Sequence, residues 1–131
     1  MTDPSNSPLA GRRIMVVEDE ALVSMLIEDL LADLGCEPLG PLTRVSEAID
    51  FVRDPAHQID AALLDVNLAG ERSNAVAEAL AARDIAFVLC TGYDDAGVDD
   101  RWQNRPLLRK PFVGHQLEKA LNEALTGQAS A

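Results

Sequence analysis

Short, unbroken apolar runs alternate along this chain with stretches whose apolar residues recur at helical spacing, and that alternation constrains the fold more than any other feature. A short run with no polar face suits a strand buried on both sides, and a sheet of such strands needs helices over both faces. The runs are Arg13–Val17, Ala61–Leu64 and Ala86–Cys90, joined by a weaker Glu37–Leu42, which Pro38, Gly40 and Pro41 interrupt, and a short Pro106–Leu108. Between them, Ala21–Leu34 carries Leu22, Leu26, Leu30 and Leu34 every fourth residue and stops at Gly35. Ser46–Arg53 turns Val45, Ala48, Ile49 and Val52 inward and is closed by Pro55. Asn74–Arg83 is rich in alanine, and Val113, Leu117, Leu121 and Ala124 mark a last amphipathic helix. The pattern predicts an α/β fold of five βα units around a mostly parallel, doubly wound sheet. Tyr93–Arg105 departs from it: Asp94, Asp95, Gly97, Asp99 and Asp100 favour turns, so a degenerate fourth helix is expected.

With 131 residues there is room for one ordinary domain and its core. Residues 1–11 and 126–131 are polar and turn-rich and read as tails, leaving 12–125 as the domain. No apolar run approaches the roughly 20 residues needed to cross a bilayer, and Met1–Ala10 has no basic segment followed by an apolar one, so a cytoplasmic location is expected. A net charge of -11 with no Lys/Arg stripe argues against direct nucleic-acid binding. Cys36 and Cys90 form no CxxC pair and read as reduced packing residues; His57 and His115 are isolated, read as solvated, and receive no role.

In an open parallel sheet, ligands sit beyond the carboxyl ends of the strands. There the chain places Glu18 and Asp19 after the first strand, Asp65 after the third, Thr91 after the fourth, and Lys110-Pro111 after the fifth. Carboxylates sharing one crevice repel by about 1 kcal/mol per pair at 4 Å in water-like surroundings and about 4 kcal/mol at an effective dielectric of 20. One lysine does not cancel three of them, whereas magnesium, which takes carboxylate, carbonyl and water oxygens, does. Glu18 and Asp19 therefore read as metal-holding groups, and Asp65 as a nucleophile able to become an aspartyl phosphate, with Lys110 and the Thr91 hydroxyl as partners for the phosphoryl oxygens. Each residue has a local alternative: Asp19 as a helix cap, Asp65 as a turn starter, Thr91 as a cap, Lys110 as a solvated charge. Four such coincidences at the same end of consecutive strands make the joint reading the stronger one.

With these residues in view, Arg12–Leu125 resembles the receiver domains of bacterial two-component response regulators, in the CheY-like single-domain form. The matching motifs are Val-Val-Glu18-Asp19-Glu, Leu-Leu-Asp65-Val-Asn67-Leu, Thr91-Gly92 and Lys110-Pro111-Phe112. The resemblance implies a flavodoxin-like (βα)5 fold with strand order 2-1-3-4-5 and phosphorylation of Asp65 by a histidine kinase or histidine phosphotransfer protein. It also implies a Mg2+ ion held by Glu18, Asp19, Asp65 and the Asn67 backbone carbonyl, and a cis peptide before Pro111. Such a domain is a phosphoacceptor of signal transduction rather than an enzyme, catalysing only its own phosphorylation and dephosphorylation. Output would be a protein contact, a phosphate sink or a phosphorelay step, with a monomer favoured. Receivers usually carry an aromatic switch residue where this chain has Leu107. Phe87, Thr91, Gly92 and Tyr93 instead resemble a subgroup with a Phe-Ala-Thr-Gly-X-Tyr motif, although Leu89 and Cys90 replace its central Phe-Ala; that subgroup points to kinases of the HWE or a related type. Activation is then expected to be read through Tyr93–Arg105.

Three other readings fit less well. A flavodoxin-like cofactor binder needs a Ser/Thr/Gly-rich phosphate loop where this chain has Glu18-Asp19-Glu20. A haloacid-dehalogenase-type phosphatase needs a second carboxylate at the position of Asn67. A pseudo-receiver would lack the phosphoacceptor or the lysine, and both are present.

Overall fold

The computed structural model describes residues 9–92 and 98–127. Five parallel strands, β1 (Arg13–Val17), β2 (Glu37–Leu42), β3 (Ala61–Asp65), β4 (Ala86–Thr91) and β5 (Leu107–Arg109), lie side by side in the order β2-β1-β3-β4-β5. Helices α1 (Ala21–Asp33), α2 (Val45–Arg53), α3 (Asn74–Ala82) and α4 (Gly114–Thr126) connect or succeed them. This is the doubly wound arrangement that the alternation predicts, in the flavodoxin-like strand order that the resemblance implies.

Side chains alternate strictly between the two faces, as the period of a strand requires. Ile14, Val16, Leu63 and Val88 pack with Ile27 and Leu31 of α1 and Leu117 and Leu121 of α4. Met15, Val17, Leu64, Phe87 and Leu89 pack on the other face with Val45, Ala48 and Val52 of α2, Val76 and Leu80 of α3, and Trp102. Ile14–Val17, β3 and Phe87–Cys90 of β4 are buried on both faces, so these segments contain no polar residue until they reach the carboxyl edge.

The four-residue leucine spacing that marks α1 is not its buried face. Leu22 is 82% exposed and Leu26 is 48% exposed, while the helix buries Ser24, Ile27 and Leu31. At 100° per residue a four-residue step advances about 40° beyond a full turn, so four leucines in that series sweep roughly 120° around the helix and cannot all face the sheet. The expected tail 1–11 is also too long. Leu9 is fully buried, its carbonyl accepts from the Cys36 thiol at 3.4 Å, and the Gly11 N–H donates to the Gly35 carbonyl at 2.8 Å. His57 is not simply solvated: its ring stacks on Phe51 with 3.8 Å between centroids, and Nδ1 lies 2.9 Å from the Phe51 carbonyl.

β2 forms despite its prolines because it is an edge strand, paired only with β1. Gly40 makes this possible. Its φ is +105°, and a Cβ there would lie 2.8 Å from the Leu42 nitrogen and 3.0 Å from the Val16 carbonyl oxygen.

The expected degenerate fourth helix falls partly on residues 93–97, outside the described residues. The chain beyond them makes one 3-10 turn, Asp100–Trp102, whose cap Asp99 accepts from the Arg101 N–H at 2.9 Å. Trp102 is buried and meets the Phe87 ring edge-on at 5.5 Å. Among the described residues, no helix is long and apolar enough to cross a membrane.

Candidate functional site

Parallel pairing brings the carboxyl ends of all five strands to one edge, and the register decides which residues meet there. Val17 pairs with Leu64, so Glu18 comes after β1 beside Asp65, the last residue of β3. Thr91 ends β4 opposite Arg109, and Lys110 comes next on the chain. The Lys110 N–H donates to the Thr91 carbonyl at 2.7 Å, and the Lys110–Pro111 peptide is cis, as the motif implies.

Glu18 and Asp65 are nearly sealed from solvent, with relative exposures of 2% and 3%. The Lys110 ammonium donates to Glu18 Oε1 and to Asp65 Oδ2, each at 3.0 Å. The second oxygens have backbone donors: Glu18 Oε2 accepts from the Glu20 N–H at 3.2 Å, and Asp65 Oδ1 from the Asn67 N–H at 3.3 Å. Asp19 is exposed, yet carboxylate oxygens of Glu18, Asp19 and Asp65 all lie within 4.8 Å of one another.

Three carboxylates so close repel by about 3.5 kcal/mol per pair at an effective dielectric of 20, and a single ammonium leaves the cluster negative. The strain is felt most at Asp65. Burial, and then the Glu18 charge, push its pKa from 3.8 up to about 7 against the opposing pull of Lys110. At Lys110 burial works against the charged form, but the bonds to Glu18 and Asp65 outweigh it and raise its pKa. A hard divalent cation among these oxygens would relieve the repulsion, and the all-oxygen donor set suits magnesium.

The local alternatives for Asp19, Thr91 and Lys110 find no support here, while Asp65 both starts a turn, through the Asn67 N–H, and sits in the cluster. The cap of α1 is Glu20 rather than Asp19, Thr91 lies within β4, and the Lys110 side chain is 16% exposed with both of those bonds made. Cys36 and Cys90 are both buried and free; burial pushes the Cys36 thiol up to about 11 and raises that of Cys90 as well.

Comparison with known proteins turns this geometry into a family. No protein-family model matches the chain. The solution structure of SdrG from Sphingomonas melonis Fr1 is 49% identical over 88% of this chain and 97% of that one, with a TM-score of 0.80. The PhyR response regulator receiver domain of Erythrobacter litoralis is 25% identical over 89% and 92% of the two chains, with a TM-score of 0.71. The chain belongs to the response regulator receiver family. Among curated sequences, the transcriptional regulatory protein PdtaR of Mycobacterium tuberculosis is 27% identical over 96% of this receiver, which spans only 63% of that protein's length.

Two features of the receiver were not legible in its sequence. Ser73, next to α3, is buried, and its hydroxyl donates to the Asp65 carbonyl at 2.5 Å and the Val66 carbonyl at 3.1 Å. In the sequence it looks like an ordinary helix cap. Trp102, the chain's single tryptophan, stands in a stretch with few apolar residues, and only the tertiary structure shows it packed on Phe87. Leu107, at the usual aromatic switch position, is 48% exposed, and Tyr93 lies outside the described residues.

Proposed function

We propose that this receiver accepts a phosphoryl group on Asp65 from a histidine kinase, of the HWE type, or from a histidine phosphotransfer protein, in a magnesium-dependent reaction. The carrying observation is a buried carboxylate at the end of the central strand, with the Lys110 ammonium at 3.0 Å and two further carboxylates within 4.8 Å. An Asp65 oxygen attacks phosphorus as the P–N bond of the donor phosphohistidine breaks, and the imidazole leaves with the electron pair and takes up a proton. Glu18, Asp19, Asp65 and the Asn67 carbonyl would hold the magnesium ion, which neutralises phosphoryl charge when bound. Lys110 offsets the charge on another phosphoryl oxygen, and the Thr91 hydroxyl donates to a third. The chemistry is a single phosphorylation and its reversal rather than turnover of a separate substrate.

The donor must reach Asp65 through the mouth of the site, and α1, which begins just after Glu18 and Asp19, carries exposed apolar side chains. Leu22, Met25, Leu26 and Val113 are exposed. A cleft of about 310 Å³ is lined by Leu26 together with Glu20, Val23, Gly92, Lys110 and Phe112. Exposed apolar side chains beside a reactive carboxylate suit the helix that carries the partner's histidine. Output then passes to a protein partner, a phosphate sink or a relay, in the cytoplasm. Acetyl phosphate with magnesium followed by adduct mapping tests the phosphoacceptor: labelling is expected on Asp65 alone and lost with EDTA. Equal labelling of Asp65→Ala would overturn the assignment. Leu26→Glu should slow transfer from a phosphorylated kinase without changing labelling by acetyl phosphate.

A further inference from the structure

We infer that Ser73 is a positioning residue for the phosphoacceptor, a role that rests on the proposed reading of the site. The backbone at Ser73 stands at the N-cap of α3, with φ -94° and ψ 18°, but the hydroxyl makes no cap bond to the helix. It reaches back to the end of the central strand instead, donating to the Asp65 and Val66 carbonyls, while the Ser73 N–H also donates to the Val66 carbonyl at 3.1 Å.

Peptide planarity gives these bonds a consequence at the carboxylate. The Val66 carbonyl and the Asn67 N–H belong to one rigid plane and point in opposite directions. When Ser73 holds the carbonyl, the N–H is aimed the other way, and there it donates to Asp65 Oδ1. The preceding plane is pinned in the same manner: its Asp65 carbonyl accepts from the Ser73 hydroxyl, and its Val66 N–H donates to the Cys90 carbonyl at 3.0 Å. Two consecutive peptide planes, following the proposed nucleophile and leading to the Asn67 carbonyl, are thus held by Ser73: the Asp65 carbonyl by its hydroxyl, the Val66 carbonyl by its hydroxyl and N–H together.

The surrounding chain is built as a continuation of this clamp. Asn67 and Leu68 pair antiparallel with Arg72 and Glu71, so Ser73 is the next residue of that ribbon. Ser73 is only 3% exposed, and an alanine there would leave the Asp65 carbonyl without its hydroxyl donor. The expected result is a metal pocket whose oxygens are present but less well aimed.

The experiment measures magnesium chloride affinity by calorimetry, and labelling by acetyl phosphate at saturating magnesium, for the wild type, Ser73→Ala, Ser73→Thr and Val52→Ala. Val52 is fully buried in α2 and controls for general destabilisation. Ser73→Ala should weaken magnesium binding about tenfold and slow labelling, as loss of a partner that orients metal ligands does. Ser73→Thr, which keeps the hydroxyl, should recover most of the affinity, and Val52→Ala should lower the melting temperature without changing it. Wild-type affinity and labelling in Ser73→Ala overturn the positioning role alone, as does equal weakening in Val52→Ala. A wild-type chain that binds no magnesium and takes no label overturns the reading of the site and this role together.

Discussion

Replacing the proposed nucleophile should make the metal-free protein more stable. In EDTA, Asp65→Asn removes one of the crowded carboxylates and keeps an oxygen to accept from Lys110, while its amide nitrogen replaces the oxygen that accepted from the Asn67 N–H. The magnitude comes from the pKa. Asp65 is shifted from 3.8 to about 7, and at about 1.36 kcal/mol per unit the full cost of holding it ionised in the fold is on the order of 4 kcal/mol. Allowing for imperfect amide geometry, a gain of roughly 2–4 kcal/mol is expected, which for a chain of this length is a rise in Tm of about 7–15 °C. The pH dependence carries a definite sign. An acid whose folded pKa is raised contributes stability that is fully present below 3.8 and is lost as pH rises through about 7, so the variant's advantage should be near zero at pH 4 and full at pH 8.5. Magnesium should close most of the gap: at a hundred times its dissociation constant it adds about 2.7 kcal/mol to the wild type and little to the variant. Thermal melts by circular dichroism at pH 4, 6 and 8.5, with EDTA or magnesium, decide the matter. A variant that melts at or below the wild type at pH 8.5 in EDTA, or a gap that does not change with pH, would refute the reasoning.

The packing of α1 predicts that Ile27→Ala costs about 2–5 kcal/mol, whereas Leu22→Ala, at a site 82% exposed, changes stability by less than about 0.5 kcal/mol in denaturant titrations. In the ribbon beyond β3, the two-residue turn Ala69-Gly70 has φ of 52° and 83°, the left-handed pair of a type I′ turn. Ala69→Gly should therefore stabilise the protein by roughly 1 kcal/mol, read as a higher denaturant midpoint with an unchanged m-value. Beryllofluoride, the ligand of an activated SdrG conformation that this chain matches with a TM-score of 0.74, should change hydrogen-exchange protection at residues 98–105. Unchanged protection there, with changes elsewhere, would count against output through that segment.

Much of this receiver can be read from its residues because the relevant physics is local. A strand buried on both faces must be continuously apolar, so β1, β3 and β4 announce themselves. A polar residue at the end of such a run can only sit at the sheet's edge, so Glu18, Asp19, Asp65, Thr91 and Lys110 stand out as candidates, and their coincidence rather than any one of them carries the reading. Parallel connectivity then puts those ends on one side. Sequence order and strand period determined that much.

Distances and burial were decided by the assembled sheet. That Lys110 reaches Glu18 and Asp65 at once depends on the β1–β3 and β4–β5 registers, which relate residues 92 and 45 positions apart. The four-residue leucine repeat of α1 misleads because a helix stripe is set by 100° steps and by where the sheet lies, and only packing selected Ile27 and Leu31 over Leu22 and Leu26. Ser73 looks like a cap because capping is a local preference; its hydroxyl found the Asp65 carbonyl instead because folding brought the end of β3 within 2.5 Å. The sequence specified which groups the site would contain, through local period and order, and the tertiary structure set their charges and aim, since burial and long-range hydrogen bonds exist only once the strands have paired.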